Sequence, residues 1–214
     1  MTGREVIRLL EFIAERLRDH QDELTALDNR VGDGDHGVTM VQGWTAVLAA
    51  VQPLPHGSPS EVLRTAGQAF LNAVGATVGP LYATAFLRTA RAVDGQARLG
   101  ADDAPRAFEA WVEGLHARGK AEVGDKTMMD VWIPAWEAFR AERPEDLQAR
   151  LDAAVDAGGQ GLQRTEAMAA RKGRASRLAE RSMGVADPGA LSAYVILAAV
   201  RDWFEAHSGA SVLR

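Results

Sequence analysis

Hydrophobic residues recur at spacings of three and four along most of the chain, and strand-like alternation is nearly absent. Near the N-terminus, Val6, Leu9, Leu10, Ile13 and Leu17 fall on one face of a helix with 3.6 residues per turn. This pattern is typical of amphipathic α-helices that pack around a shared core. We predict eight helices, over residues 2–19, 36–51, 58–74, 80–94, 102–118, 125–141, 145–171 and 187–207.

The seventh predicted helix has the least regular pattern. Gly158, Gly159 and Gly161 weaken its middle, although Leu151 and Val155 keep the helical period. Two interpretations remain open at this stage: the helix is broken at the glycines, or the glycines allow a neighbouring element to pack closely.

The even-numbered helices share a feature at their starts. Glycine, aspartate or proline precedes or opens each of them, at Gly32 to Gly37, Gly79-Pro80, Gly124-Asp125 and Asp187-Pro188-Gly189. Short loops between antiparallel helices would bring these four starts to one end. Helix N-termini expose unpaired N–H groups, and glycine lets a phosphate approach the backbone. We therefore predict an all-α, single-domain, eight-helix antiparallel up-and-down bundle over residues 1–214, with an anion site at one end.

Three carboxylates stand close together just before the second predicted helix. Asp28, Asp33 and Asp35 fall within eight residues, which is unfavourable unless a cation sits among them. Carboxylate oxygens suit Mg²⁺, which keeps some waters and completes its shell with phosphate oxygens. A capping and turn cluster is the alternative. An EF-hand is excluded, since Val38 and Trp44 occupy the positions of its glycine and its bidentate glutamate.

Composition and charge exclude several other classes of protein. The chain has 214 residues, of which 47% are hydrophobic, so one substantial core is expected. Its net charge of −5 argues against a nucleic-acid surface. The absence of cysteine excludes disulfides and thiolate metal sites. We find no apolar run that would cross or anchor in a membrane, and we expect a cytoplasmic protein.

Residues 164–181 form a basic segment in this acidic chain, with six Lys or Arg residues and two Glu residues. Arginines there would donate to phosphate oxygens if the segment closed over a bound anion. A solvated helix face is the alternative for such a run of charges. The motif Gly124-Asp125-Lys126-Thr127 also has two interpretations. Either it contacts a ligand, or Asp125 is only an N-cap and Lys126 only a solvated charge.

Several motifs in the same order and spacing resemble a known family. They are Gly32-Asp-Gly-Asp-His-Gly37, Gly119-Lys-Ala-Glu-Val-Gly-Asp-Lys-Thr127, Arg171-Lys-Gly-Arg-Ala-Ser176, Glu180-Arg-Ser182 and Asp187-Pro-Gly189. Together they closely resemble the nucleotide-binding L subunit of bacterial dihydroxyacetone kinases, over nearly the whole chain. The resemblance implies an eight-helix antiparallel barrel that holds ADP or ATP and two Mg²⁺ ions at one end.

The resemblance also assigns residues to the site. It implies that Asp28, Asp33 and Asp35 ligate the metal ions. The implied nucleotide-binding residues are His36, Gly37, Val38, Thr39, Thr77, Val78, Gly119, Thr127, Met128, Arg174, Asp187, Pro188 and Gly189.

The resemblance implies a kinase subunit that acts with partners. A separate K-type subunit would hold the ketose, and either ATP or a phosphoprotein subunit of the PTS type, the M subunit, would supply the phosphoryl group. The chain shows no convincing pair of nucleophile and base, which fits phosphoryl transfer, since that reaction depends chiefly on positioning and charge neutralisation. The alternative is a nucleotide-binding module that controls docking to a regulatory partner.

Four positions depart from the family pattern. Val78, within Gly75-Ala-Thr-Val-Gly-Pro-Leu81, stands where a serine is common, and Thr77 offers a substitute hydroxyl. Thr39 replaces an asparagine, Ala179 a glycine and Leu191 a threonine. Loss of one hydrogen bond to a phosphate would cost about 1.5–3 kcal/mol. These departures favour a diverged paralogue, for example one that serves a four-carbon ketose such as erythrulose.

Overall fold

The described part of the chain is all-α, as predicted. The computed structural model describes residues 1–75, 77–143, 146–177 and 182–207, except for the side chains of Arg174 and Arg177. Within these ranges there is no strand, and nine α-helices form together with two short 3₁₀ helices, at Ala101–Asp103 and Arg174–Arg177. The α-helices are α1 (Gly3–Asp19), α2 (Gln21–Val31), α3 (His36–Val51), α4 (Pro59–Ala73), α5 (Val78–Ala92), α6 (Ala104–Gly119), α7 (Met129–Ala141), α8 (Leu147–Thr165) and α9 (Pro188–His207).

Capping residues explain where some of these helices begin. Ser58 accepts a hydrogen bond from the Glu61 N–H, and Pro59 occupies the first turn of α4. Asp146 caps α8 in the same way, by accepting from the Ala149 N–H. Each cap pairs a backbone donor that would otherwise have no partner within the helix.

Helix α2 is the element that the hydrophobic pattern did not predict. It follows α1 after His20 and buries only Leu24, Asp28 and Val31. Leu24 and Val31 lie on the same helical face, about two turns apart. Two apolar residues are too few to form a recognisable helical period among polar neighbours. Because α2 forms, Asp28 lies in the last turn of a helix instead of a loop.

Helix α8 is continuous through its glycines, so the close-packing interpretation is confirmed. A Cβ atom on Gly161 would lie 1.9 Å from the Asp130 carbonyl oxygen of α7. One on Gly158 would lie 2.9 Å from Cδ2 of Leu197 in α9. The glycines therefore let α7 and α9 approach the α8 backbone. The helix ends at Thr165, six residues before the predicted end.

The chain divides into two compact units. The first consists of Met1–Ala14, Gln42–Gly119 and the residues from 202 onward, and the second of Glu15–Val41 and Lys120–Arg201. In the first unit α5 packs against α4 and α6, around a group of aromatic rings that includes Phe70, Phe86 and Trp111. In the second unit α7 packs against α8. The single domain over residues 1–214 stays a prediction.

No helix in the described ranges combines the length and the apolar character that crossing a membrane requires.

Candidate functional site

The three aspartates of the acidic cluster come together in the second unit. Asp28 projects from the last turn of α2, and Asp33 and Asp35 follow in the loop before α3. One carboxylate oxygen from each lies within 4.8 Å of the others. Asp28 is buried, while Asp33 and Asp35 are exposed. An all-oxygen donor set that is open to solvent on one side fits Mg²⁺, which retains waters and binds phosphate.

Two glycines allow this loop to fold back on α2. Gly34 has a φ of +76°, and a Cβ atom there would lie 2.1 Å from the Asn29 side-chain oxygen. A Cβ atom on Gly32 would lie 2.1 Å from Oδ1 of Asp28. A larger residue at position 32 would displace the Asp28 carboxylate, and one at position 34 would clash with Asn29 and have an unfavourable φ.

The start of α3 lies directly beside the acidic cluster. The His36 N–H donates to Oδ2 of Asp28 at 3.1 Å. Gly37 packs so tightly on α2 that a Cβ atom would lie 2.3 Å from the Gln21 carbonyl oxygen. Val38 is exposed and Thr39 is half-buried in the same helical turn. The N-terminal N–H groups of α3 and three carboxylates therefore form one site that suits a metal ion together with an anion.

A buried hydrogen-bond chain joins the start of α3 to the start of α9. Nε2 of His36 lies 3.0 Å from the Ser192 hydroxyl oxygen. The Ser192 hydroxyl donates to the Gly189 carbonyl oxygen at 3.0 Å. Because this donation uses the single hydroxyl proton, the imidazole must donate its Nε2 proton to Ser192. The hydrogen-bond chain thus requires a proton on Nε2 of His36.

Asp187 lies immediately before α9 and is buried. Burial raises the pKa of its carboxyl to about 7, although the hydrogen bond from the Ala190 N–H opposes this increase. The negative charges of Asp130 and Asp28 raise the pKa further, and the positive charge of Lys126 lowers it. Oδ2 of Asp187 accepts from the Ala190 N–H at 2.7 Å, which is N-cap geometry.

The turn before α7 is organised by Asp130, a residue that the sequence analysis missed. Its buried carboxylate accepts from the Gly124 N–H at 2.6 Å and from the Thr127 N–H at 2.7 Å. Asp125 does not cap the helix, because α7 begins later and Asp125 accepts from the Glu122 N–H instead. The sequence feature that could have identified Asp130 is an aspartate near the start of a helix, where a carboxylate can accept from unpaired N–H groups.

This turn also reaches the start of α9. A Cβ atom on Gly189 would lie 3.8 Å from the Met128 nitrogen and 2.9 Å from Oδ2 of Asp187. The two helix starts therefore lie side by side, and glycine at position 189 leaves room for the Asp187 carboxylate. Thr127 and Met128 are thereby placed next to Asp187, Pro188 and Gly189.

Lys126 is buried, so its interpretation as a solvated charge is wrong. Its ammonium donates to the carbonyl oxygens of Met168, Ser182 and Val185 at 3.1, 2.6 and 2.7 Å. Burial lowers the pKa of this ammonium, while the negative charges of Asp187 and Glu166 raise it. The backbone carbonyls of a loop, rather than water, solvate the charge.

The basic segment leaves the α-helix at Thr165, so a solvated α-helical face does not explain residues 166–177. Arg171 and Lys172 are exposed, and the Arg171 N–H donates to the Asp125 carbonyl oxygen at 3.1 Å. The predicted contact from the Arg174 side chain and the substitution at Ala179 lie outside the described residues.

Thr77, Val78 and Gly119 belong to the first compact unit. Helix α5 begins at Val78, which is half-buried, and the exposed Thr77 precedes it without a side-chain capping bond. A Cβ atom on Gly119 would lie 2.9 Å from Cδ2 of Leu81, so the end of α6 lies close to the first turn of α5. The structure thus groups these three residues around the start of α5.

Comparison with known proteins gives a consistent result. The DAK2 domain profile matches residues 30–202. The ADP-binding subunit DhaL of PEP-dependent dihydroxyacetone kinase 1 from Listeria innocua is 39% identical over 194 residues, which cover 91% of this chain and 93% of the relative. The corresponding subunit of Escherichia coli is 36% identical, over 88% of this chain and 90% of the relative.

A solved structure shares the fold. The crystal structure of the dihydroxyacetone kinase of C. freundii, in its native form, superposes with a TM-score of 0.72 at 25% sequence identity. The match covers 92% of this chain and 34% of the crystallised chain, so this chain spans about a third of that kinase.

Proposed function

Since the chain belongs to the DAK2 domain family, among the L-type subunits of dihydroxyacetone kinases, we propose that it binds ADP or ATP together with Mg²⁺. It passes a phosphoryl group from this nucleotide to a ketose that is held on a separate K-type subunit. The names of the relatives, which are dihydroxyacetone kinase subunits, support dihydroxyacetone as the ketose.

One observation carries the proposal. Asp28, Asp33 and Asp35 bring carboxylate oxygens within 4.8 Å of one another, directly beside the N-terminus of α3. Bound Mg²⁺ would neutralise the charge on phosphate oxygens during transfer. Three carboxylates have enough oxygens to ligate two ions, so the proposal includes two Mg²⁺.

The nucleotide occupies the adjoining helix starts in this proposal. The phosphates lie at the first turn of α3, at His36, Gly37, Val38 and Thr39, where backbone N–H groups and the helix dipole favour an anion. The starts of α7 and α9 contribute Thr127, Met128, Asp187, Pro188 and Gly189. The resemblance to the family assigns Thr77, Val78, Gly119 and Arg174 to nucleotide binding as well. The chain supplies positioning and charge, and the K-type subunit activates the acceptor hydroxyl.

A phosphoprotein is the phosphoryl donor that we favour. Both relatives described above are named as PEP-dependent and ADP-binding, which supports an ADP that stays bound and is rephosphorylated by an M-type subunit of the PTS class. An exchangeable ATP would be released more readily than such a retained cofactor. The two modes therefore differ in how tightly the nucleotide is held.

The test begins with denaturation of the purified protein and analysis of the released nucleotide and Mg²⁺. We expect near-stoichiometric ADP that survives dialysis. Asp33→Asn should weaken binding of MgADP by about tenfold to a hundredfold, because it removes a charged ligand. Asp156→Asn is the matched control, since Asp156 is exposed on α8 in the same unit.

The outcomes separate the possible functions. Transfer to dihydroxyacetone with a K-type subunit and a phosphorylated M-type subunit, lost in Asp33→Asn, supports the proposal. An empty protein that binds MgATP reversibly indicates ATP as the donor. A protein that binds no nucleotide in the presence of Mg²⁺ contradicts the proposal.

A further inference from the structure

Lys126 has a set of partners that matches its chemistry completely. Only 1% of its surface is exposed, and an ammonium carries three protons and no acceptor. The three protons meet three backbone carbonyl oxygens, those of Met168, Ser182 and Val185, at distances between 2.6 and 3.1 Å. The side chain is thus fully committed to the backbone of one segment.

These carbonyls belong to both ends of that segment. Met168 lies at its beginning, while Ser182 and Val185 lie at its end. The Ala170 N–H donates to the Ser182 hydroxyl oxygen at 2.9 Å, and the Gly184 N–H donates to the Glu166 carbonyl oxygen at 2.7 Å. These contacts join residues 166–170 to residues 182–185, which form the base of a loop that we call the basic loop. The sequence between them includes the basic residues from 171 to 181, and the Lys126 ammonium lies at the base.

The backbone of Lys126 belongs to the turn before α7, residues 124–128, which we call the nucleotide turn because the proposed function assigns Thr127 and Met128 to nucleotide binding. Thr127 and Met128 follow it directly, and its φ of +61° is uncommon for a residue other than glycine. The Arg171 N–H also donates to the carbonyl oxygen of Asp125, at 3.1 Å. One side chain and one backbone bond thus tie the base of the basic loop to the turn.

We infer that Lys126 is a positioning residue that anchors the base of the basic loop, at Met168 on one side and at Ser182 to Val185 on the other, to the nucleotide turn. The turn and the loop base are then in place before MgADP binds. This inference rests on the proposed function. Without the anchor, only a fraction of the molecules would hold the nucleotide turn and the loop base in the binding conformation. The apparent dissociation constant for MgADP rises in inverse proportion to that fraction.

The first test replaces Lys126 with methionine, which is unbranched and one atom shorter but pairs none of the three carbonyls. We expect MgADP affinity to fall by about tenfold, which corresponds to a loop base that is held in place in about a tenth of the molecules. We also expect faster hydrogen exchange at the N–H groups of Ala170 and Gly184. Titration calorimetry and exchange mass spectrometry measure these two effects.

Arg150→Met is the matched control for a merely structural role. Arg150 is also a buried cation whose Nε donates to a backbone carbonyl, that of Phe139 at 3.0 Å. It lies on α8, outside the basic loop and the nucleotide turn. The control variant should lose stability but keep the MgADP affinity of the unmodified protein, whereas Lys126→Met should lose affinity.

A second variant keeps the inference testable if Lys126→Met does not fold. The chain has no cysteine, so Lys126→Cys introduces a single thiol. Alkylation of the unfolded chain with 2-bromoethylamine, followed by refolding, restores an ammonium at nearly the length of lysine. We expect the alkylated protein to regain both the MgADP affinity and the slow exchange, and the unalkylated protein to lack both.

Unchanged MgADP affinity in Lys126→Met, or equal affinity of the alkylated and unalkylated cysteine variants, would overturn the inference. Equal affinity losses in Lys126→Met and Arg150→Met would do the same, because they would indicate general destabilisation. If the unmodified protein binds no MgADP, the proposed function fails, and hydrogen exchange at Ala170 and Gly184 alone decides whether Lys126 anchors the loop.

Discussion

Asp187→Asn should stabilise the metal-free protein at neutral and alkaline pH. The carboxyl of Asp187 is buried, and its pKa in the folded protein is raised from 3.8 to about 7, chiefly by loss of solvation. Asparagine is uncharged, has nearly the same shape, and keeps an oxygen that accepts the hydrogen bond from the Ala190 N–H. The substitution therefore removes the ionisation of this group and leaves the cap of α9 in place.

The sign follows from proton linkage. Between pH 3.8 and about pH 7 the folded protein keeps the proton of Asp187 and the unfolded chain has lost it. The free energy of unfolding therefore falls as the pH rises through this range. At about 1.36 kcal/mol per pH unit, the full loss is about 4 kcal/mol. About 2 kcal/mol of it falls between pH 5 and pH 7, because the carboxyl is already half ionised in the folded protein at about pH 7.

The assay is urea unfolding in the presence of EDTA, at several values from about pH 5 to about pH 8. The free-energy difference between Asp187→Asn and the unmodified protein should grow by about 3 kcal/mol across this range. Asp156→Asn, at an exposed position of α8, should show a difference that does not change with pH. Parallel profiles for Asp187→Asn and the unmodified protein would refute the reasoning, because they would show that burial does not disfavour the charged carboxylate.

Two further predictions concern the start of α3. Gly37→Ala should destabilise the fold by about 1–3 kcal/mol in urea unfolding, because its Cβ atom would lie 2.3 Å from a backbone oxygen of α2. Gly100→Ala is the control. Its Cβ atom would meet nothing closer than 4.0 Å, so stability should change by less than about 0.5 kcal/mol. Ser192→Ala should cost about 1–3 kcal/mol, since it leaves the buried Nε2 of His36 without its serine partner. NMR of the imidazole in the unmodified protein should show a proton on Nε2 of His36, and a neutral imidazole with its proton on Nδ1 would contradict the assignment.

Much of the secondary structure was predictable because the buried face of a helix appears in the sequence as hydrophobic residues three and four positions apart. Residues 36–51 were predicted as a helix with the bounds that α3 has. The periodic signal failed for α2, since few of its residues face the core. The acidic cluster was predictable for a related reason, because Asp28, Asp33 and Asp35 are so close in sequence that any compact backbone keeps them together.

Contacts between segments that are distant in sequence produce no such local pattern. Ser192 is 156 residues from His36, and Lys126 meets carbonyl groups up to 59 residues away, so no local pattern indicated either partner. A lysine after glycine and aspartate has the sequence appearance of a solvated charge. Whether water or a folded loop solvates it depends on which backbone carbonyls surround it. The sequence by itself thus determined most of the helices, the carboxylate cluster and the family. Only the tertiary structure decided which buried polar groups are paired, because such pairing is a property of three-dimensional packing.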